Sequence, residues 1–212
     1  MANTTPKRGR DPERTRRDIL EVATREFAEK GLDGARIDEI ADQTATTKRM
    51  IYYYFGDKDA LYRTVLENAY REIRLEESRV DVDHMRPADA LRAIAEATFD
   101  HHEAHPFFIR LVSVENMQRG RNLAAIDDIA QAQRPALDAL ERILERGVTS
   151  GELRVDVSAL DLHVLISSYC VFRVANRHTF NALFDYDLLD GGRREHLRRM
   201  LGDVVIDYAT AR

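Results

Sequence analysis

Two short segments with apolar residues at helical spacing, about 36–43 and about 47–54, are separated only by Thr44-Ala45-Thr46. Ile37, Ile40 and Ala41 mark the first. Thr47 is placed to cap the second, and Ile51 and Phe55, four residues apart, share its apolar face. Helices of about two turns do not hold together alone in water. Each must bury its face on a neighbour, and a three-residue connection makes the pair cross, as in a helix-turn-helix. The flanks supply the neighbours. Asp11-Pro12 is a helix start, Ile19, Leu20, Ala23 and Phe27 recur at helical spacing, and Gly31 is a stop signal, so a first helix is expected over about 11–30. Gly56 breaks the second short segment. Asp57 then caps a long helix whose stripe Leu61, Val65, Leu66, Ala69, Ile73 runs to about residue 78.

The rest of the chain continues in helical periods. A loop is expected over 79–86, then helices from Pro87 to Pro106, from Phe107 to about Gly120, and over about 122–147 with Pro135 inside it. Ser158 and Asp161 resemble a capping box for a helix over about 158–180 that is apolar nearly all round, and Leu197, Leu201, Val204, Val205 and Tyr208 mark a last helix over about 192–211. The charged run 71–79 reads as a solvated face. No repeat, low-complexity tract or strand-type alternation interrupts this pattern. The expected fold is all-α, with about nine helices.

Function classes narrow by exclusion. No apolar run approaches the ~18 residues of a membrane span. The polar N-terminus lacks the apolar core of a secretory signal, and the single cysteine, Cys170, excludes an intramolecular disulfide framework. A cytoplasmic protein with no membrane partner is expected, and Cys170 reads as packing. No nucleophile–base pair, glycine-rich phosphate loop or metal motif points to an enzyme, and no cofactor is expected. His101 and His105 have a spacing compatible with a metal, which leaves a metal-responsive role open beside a structural one.

Charge points elsewhere. The net charge is −5. Residues 1–58 hold 12 Lys and Arg against 11 Asp and Glu, and the remainder 20 against 26. The basic surplus sits in a tail over 1–10, expected to be disordered, and on the second short helix. There Lys48, Arg49, Tyr52 and Tyr53 share the face opposite Ile51 and Phe55. Two cations and two phenols can clamp phosphates and read base edges, and Lys58 opens the next helix, where free backbone N–H groups also favour phosphate. An acidic body with a basic end suits a protein that reads double-stranded DNA without coating it.

At Phe27-Ala28-Glu29-Lys30-Gly31, Ile40-Ala41 and Ile51-Tyr52-Tyr53-Tyr54-Phe55-Gly56-Asp57-Lys58-Asp59-Ala60-Leu61 the chain resembles the tetracycline-repressor (TetR) family. The resemblance implies a DNA-binding domain over 11–56 and an effector-binding and dimerisation domain over 57–212. It implies DNA contacts at Thr47, Lys48, Arg49, Tyr52, Tyr53, Tyr54 and Lys58, with Arg36 and Thr46 completing the expected set. It also implies a homodimer on a palindromic operator, released by a small molecule, although the motif alone leaves an activator or an effectorless regulator open. Four departures bear on the motif. Ala45 stands where glycine is usual and costs on the order of 1 kcal/mol if the position needs a positive φ. Thr46 replaces a buried valine, and Arg49 and Tyr54 replace smaller or different side chains, which alters the bases read.

For the effector, Phe99, His102, Phe107, Phe108, Met117, Tyr169, Phe172, Arg173, Asn176 and Arg177 are the expected lining, although the same aromatics suit a core equally well. Arg173 and Arg177 would hold an anion or make intersubunit salt bridges. Leu165, Tyr169, Phe172, Leu197, Leu201, Val204, Val205 and Tyr208 are the expected dimer contacts. The segment from His105 to Asn116 is similar to family members that control catabolism of small aromatic or heterocyclic acids.

Overall fold

The computed structural model describes residues 11–210, and the basic tail expected over 1–10 lies outside them. Ten helices follow in order: α1 Pro12–Gly34, α2 Ile37–Gln43, α3 Lys48–Phe55, α4 Lys58–Ser78, α5 Pro87–Ala104, α6 Pro106–Met117, α7 Ile129–Thr149, α8 Ala159–Ala175, α9 Arg177–Phe184 and α10 Gly191–Ala209. No strand occurs among the described residues beyond an isolated bridge between Leu153 and Thr210. The chain divides into two compact units between Leu66 and Glu67, within α4.

The helix starts follow local chemistry. Asp11 accepts the Glu13 N–H at 3.1 Å with Pro12 in the first turn, Thr47 accepts the Met50 N–H at 3.3 Å, Asp57 accepts the Ala60 N–H at 2.7 Å, and Ser158 accepts the Asp161 N–H at 3.1 Å. Gly31 has φ 68°, which glycine adopts without strain, and α1 breaks there before a further turn to Gly34.

Two expected helices are corrected. The span 158–180 divides at Asn176, whose backbone leaves the helix (φ −98°, ψ 5°), giving α8 and the short α9 and so ten helices among the described residues rather than nine. The periodicity hid this break because Phe180 packs edge-on against Phe172 across it, at 5.9 Å between centroids. The helix expected from about 122 begins only at Ile129. The cause is Glu115. Its buried carboxylate accepts the Asn122 N–H (3.2 Å), the Asn122 side-chain amide (2.8 Å) and the Leu123 N–H (3.1 Å), which holds the chain in turns with Arg119, Gly120 and Asp128 at positive φ. α7 runs through Pro135.

The core of the second unit centres on α5. Leu91, Ile94, Ala95 and Phe99 meet Leu140, Ile143 and Leu144 of α7, Leu162, Ile166 and Cys170 of α8, and Leu197, Leu201 and Val205 of α10. Burial pushes the Cys170 thiol up to about 12, so it packs as a neutral group. An ion network lays α10 on α5: Arg194 to Asp100 (2.5 Å) and Glu103 (3.1 Å), Arg198 to Glu96 (2.6 Å) and Asp100 (3.1 Å), and Arg92 to Asp203 (2.6 Å). Single exposed pairs stabilise little, but several sharing acids fix an orientation. Among the described residues no helix is long and apolar enough to cross a membrane.

Candidate functional site

In the first unit, α1 supplies the floor. Ile19, Ala23 and Phe27 are fully buried, Phe27 meets Tyr62 edge-on at 5.0 Å, and the Arg16 guanidinium lies 5.3 Å from the Phe55 ring centroid. α2 is fixed by Glu26, which is buried. Its carboxylate accepts the Arg36 N–H at 3.3 Å and pairs with Lys30 at 2.9 Å, while Lys30 also bonds Glu39 of α2. The bond to Glu39, then that to Glu26, holds the Lys30 ammonium above its ordinary range. Glu26 thus satisfies a backbone donor that the start of α2 leaves free.

The turn between α2 and α3 closes with Thr44 N–H on the Ile40 carbonyl (3.1 Å) and Thr46 N–H on the Ala41 carbonyl (3.1 Å). Ala45 lies at φ 48°, so alanine occupies a left-handed position. Thr46 is half-buried, which corrects the expectation of a hydroxyl enclosed in the motif's core: its side chain borders solvent.

α3 buries Ile51 and Phe55 and turns Lys48, Arg49, Tyr52 and Tyr53 outward, with Tyr53 78% exposed. Thr47 is exposed at its start, and Tyr54 is half-buried beside Tyr53, their rings edge-on at 5.4 Å. Asp38 of α2 sits among the cations, in an ion pair with Lys48 and 3.9 Å from Arg36. Lys58 donates to the Asp33 carbonyl at 3.4 Å. The nine residues expected to contact DNA therefore lie on α3, at the start of α2, in the turn and at the start of α4.

Among the cavities of the second unit are two of similar size. One, about 430 Å³, is lined from α4 (Tyr70, Ile73, Arg74), α5 (His102), α6 (Phe108, Val112), α7 (Gln133, Arg134, Leu137) and α8 (His163, Ser167, Val171). The other, about 450 Å³, is lined by Glu77, Asp81, Asp83 and Asp138 with Arg74, Arg79, Arg142 and apolar residues. Arg74, Ala136 and His163 line both. Arg74 and Glu77 form a 2.6 Å ion pair with each side chain only 13% exposed, which corrects the reading of 71–79 as a solvated face. Burial pulls the Arg74 guanidinium down and pushes the Glu77 carboxyl up. His102 donates from Nδ1 to the Thr98 carbonyl at 2.9 Å, and burial lowers it to about 4, so its Nε2 is an acceptor.

Of the ten residues expected to line an effector pocket, His102 and Phe108 line the first cavity. Phe99 and Tyr169 pack in and against the core, Met117 is 78% exposed, and Phe172 faces solvent. Phe107 is half-buried, with Arg110 5.9 Å from its ring centroid. The two arginines expected to hold an anion are committed inside the chain. Arg173, 2% exposed, bonds Glu103 (2.8 Å) and the Leu188 carbonyl and stacks 3.7 Å over Phe99. Arg177 makes a two-pronged bond to Asp187 (2.8 and 2.7 Å), and Asn176, half-buried, ends α8. Sequence reasoning missed Tyr70, Arg74 and His163. The signal it passed over is that Tyr70, Ile73 and Arg74 share one face of α4.

His101 and His105 stack ring on ring at 4.2 Å, and burial, then His105, lowers His101 to about 4. No group of three or more metal-ligating side chains occurs among the described residues. Of the expected dimer contacts, Leu197, Leu201 and Val205 are buried in the chain's own core, Leu165 and Tyr169 pack against it, and Phe172, Val204 and Tyr208 are exposed. The exposed set extends to two stripes at helical spacing: Leu160, Val164 and Phe172 on α8, and Met200, Val204 and Tyr208 on α10.

Known proteins match at both ends. Residues 19–65 match the family "Bacterial regulatory proteins, tetR family", and residues 87–205 match "Tetracyclin repressor-like, C-terminal domain". The chain is 30% identical over 202 residues to the HTH-type transcriptional repressor NicS of Pseudomonas putida, covering 95% of each protein. It is 27% identical over 150 residues to the regulator RutR of Escherichia coli, covering 71% of this chain and 69% of that protein. Among solved structures, a transcriptional regulator of Streptomyces coelicolor, SCO4942, superposes with a TM-score of 0.66 at 28% identity over 90% of this chain and 97% of that one. The regulator FadR of Bacillus subtilis in complex with stearoyl-CoA shares the fold, with a TM-score of 0.67 at 17% identity over 91% and 98%. With its turn, outward α3 face and helical body matched along nearly its whole length, the chain belongs to the TetR family of transcriptional regulators.

Proposed function

We propose that this chain is a homodimeric repressor that grips a near-palindromic operator with two copies of α3 and releases it when a small molecule fills the α4–α8 cavity. The observation that carries the reading is the outward face of α3, where Lys48, Arg49, Tyr52 and Tyr53 stand exposed on a helix whose cap and opposite face are fixed. Such a helix enters the major groove, phosphate contacts set its position, and side chains at base edges specify sequence. The exposed stripes of α8 and α10 suit a two-fold four-helix contact, and a two-fold dimer of such proteins reads half-sites about one DNA turn apart. α4 contributes Lys58 to the first unit and Tyr70, Ile73 and Arg74 to the cavity of the second, so one helix carries both ends of the signal. A ligand shifts the protein only if it binds the DNA-free state better.

The test is fluorescence anisotropy with the DNA upstream of the protein's own gene. Wild type is expected to bind a two-fold site in that region, and Tyr52→Ala to weaken it about 10-fold or more. Equal binding by Tyr52→Ala would sink the contact assignment. A protein that binds no such DNA would sink the repressor reading.

A further inference from the structure

The two cavities differ in chemistry more than in size. Glu77, Asp81, Asp83 and Asp138 line the larger, whereas no Asp or Glu lines the smaller among the described residues. The smaller has instead a wall of Phe108 set edge-on to Tyr70 (5.2 Å) and to His102 (5.6 Å), closed by Ile73, Val112, Leu137 and Val171. Two cations reach it. Arg134 is already engaged by Asp138 (2.9 Å) and Glu141 (3.1 Å). Arg74 has only Glu77, and its buried Nε has no hydrogen-bond partner among the described residues. A guanidinium with an unused donor at the edge of an apolar chamber is a half-filled anion site.

We propose that the smaller cavity binds a small aromatic carboxylate whose anionic group takes Arg74 away from Glu77. The ring lies against Phe108 and Tyr70. The carboxylate receives the paired N–H groups of Arg74, which a planar fork donates better than a point charge does. His102, its Nδ1–H held by Thr98, accepts a donor on the ring or excludes a second anion. The four carboxylates of the larger cavity repel the ligand from that side, which sets its orientation. Arg74 and Glu77 are both on α4, so the exchange of partners acts on the helix that begins at Lys58.

This inference rests on the effector role of the cavity proposed above, and its test separates the two. Purified full-length protein is titrated by calorimetry with benzoate, 4-hydroxybenzoate and 3-phenylpropionate, each against its amide, and with benzylammonium. At least one acid is expected to bind, with its amide and benzylammonium at least 10-fold weaker. Arg74→Gln is expected to cost about 10- to 100-fold, the range of a charge-assisted pair. Because Arg74→Gln alone leaves Glu77 buried without its partner, the Arg74→Gln/Glu77→Gln double variant repeats the measurement with both charges removed. Glu77→Gln alone is expected to tighten the acid several-fold by freeing Arg74. Failure of every acid, equal binding of acid and amide, full binding by the double variant, or no gain from Glu77→Gln would each overturn the proposal. Operator binding by the ligand-free protein is measured alongside. If that persists while the acids fail, the inference falls alone. If it is absent, the repressor reading falls with it.

Discussion

The two units use their cations in opposite ways. In the second, several arginines are held by more than one acceptor: Arg194 and Arg198 share Asp100 and each bonds a further acid, Arg173 holds Glu103 and a carbonyl, and Arg146 donates to carbonyls of the 79–86 loop. In the first, the cations of the reading face have at most one partner each among the described residues, and Lys48 pairs with the exposed Asp38. Arg49 has no ion pair among the described residues, Arg36 stands 3.9 Å from Asp38, and Lys58 has one long bond to a carbonyl. Charge that is satisfied internally builds structure, and charge left over is what an outside partner meets. Arg74, at the wall of the apolar cavity, has one acid partner, Glu77, and a buried Nε without a hydrogen bond among the described residues.

Acid offers the largest way to sharpen this contrast. All seven histidines lie from His84 onward, so the first unit has none. Burial holds His101 and His102 at about 4, below the ordinary 6.5, so the unfolded chain binds more protons than the folded one between those values. Stability is therefore complete above pH 6.5 and falls as pH drops toward 4. Each of these two histidines removes at most about 1.4 kcal/mol for every pH unit crossed in that window. Glu77, whose carboxyl burial pushes up, works the other way and offsets part of the loss. Hydrogen exchange across that pH range should show protection lost in α5 and α8 before α1–α3, and the reverse order would break the comparison.

Arg173→Ala comes next. It leaves one carboxylate oxygen of the half-buried Glu103 and the Leu188 carbonyl without their partner, and a loss of about 3 kcal/mol is expected in urea unfolding, with DNA contacts untouched. Ala45→Gly relieves the φ 48° strain in the turn and is expected to stabilise the first unit by roughly 0.5–1 kcal/mol, read as a raised melting temperature. Asp38→Asn is the smallest. Releasing Lys48 and Arg36 is worth about 0.2–1 kcal/mol, seen as a few-fold gain in binding to non-operator DNA at low salt.

The reading face was legible because its logic is local. Ile51 and Phe55 at i, i+4 fix which way α3 turns, and the exposed face follows from helical geometry alone. Gly31, Asp57 and Ser158 punctuate helices through bonds to residues two to four positions away, so they too read directly from the chain. What stayed hidden depends on distant partners. Glu26 looks like any surface charge until Arg36 arrives at its carboxylate, and Glu115 gives no hint that it will hold Asn122 and Leu123 out of a helix. Arg74 belongs to a charged run that spacing assigns to solvent, and only the packing of α5–α8 against α4 makes it a cavity wall. Arg173 and Arg177 carried the opposite error: their spacing suggested a ligand clamp, and Glu103 and Asp187, far along the chain or beyond a break, had already claimed them.

The face of α3 is tested most directly by the salt dependence of operator binding, comparing wild type with Lys48→Ala. Each phosphate neutralised by a cation adds about one counterion to the slope of log affinity against log salt. Lys48→Ala is expected to lower that slope by about 1 while leaving the melting temperature unchanged, because Lys48 bonds only the exposed Asp38. An unchanged slope and affinity in a folded Lys48→Ala protein would show that DNA meets some other surface.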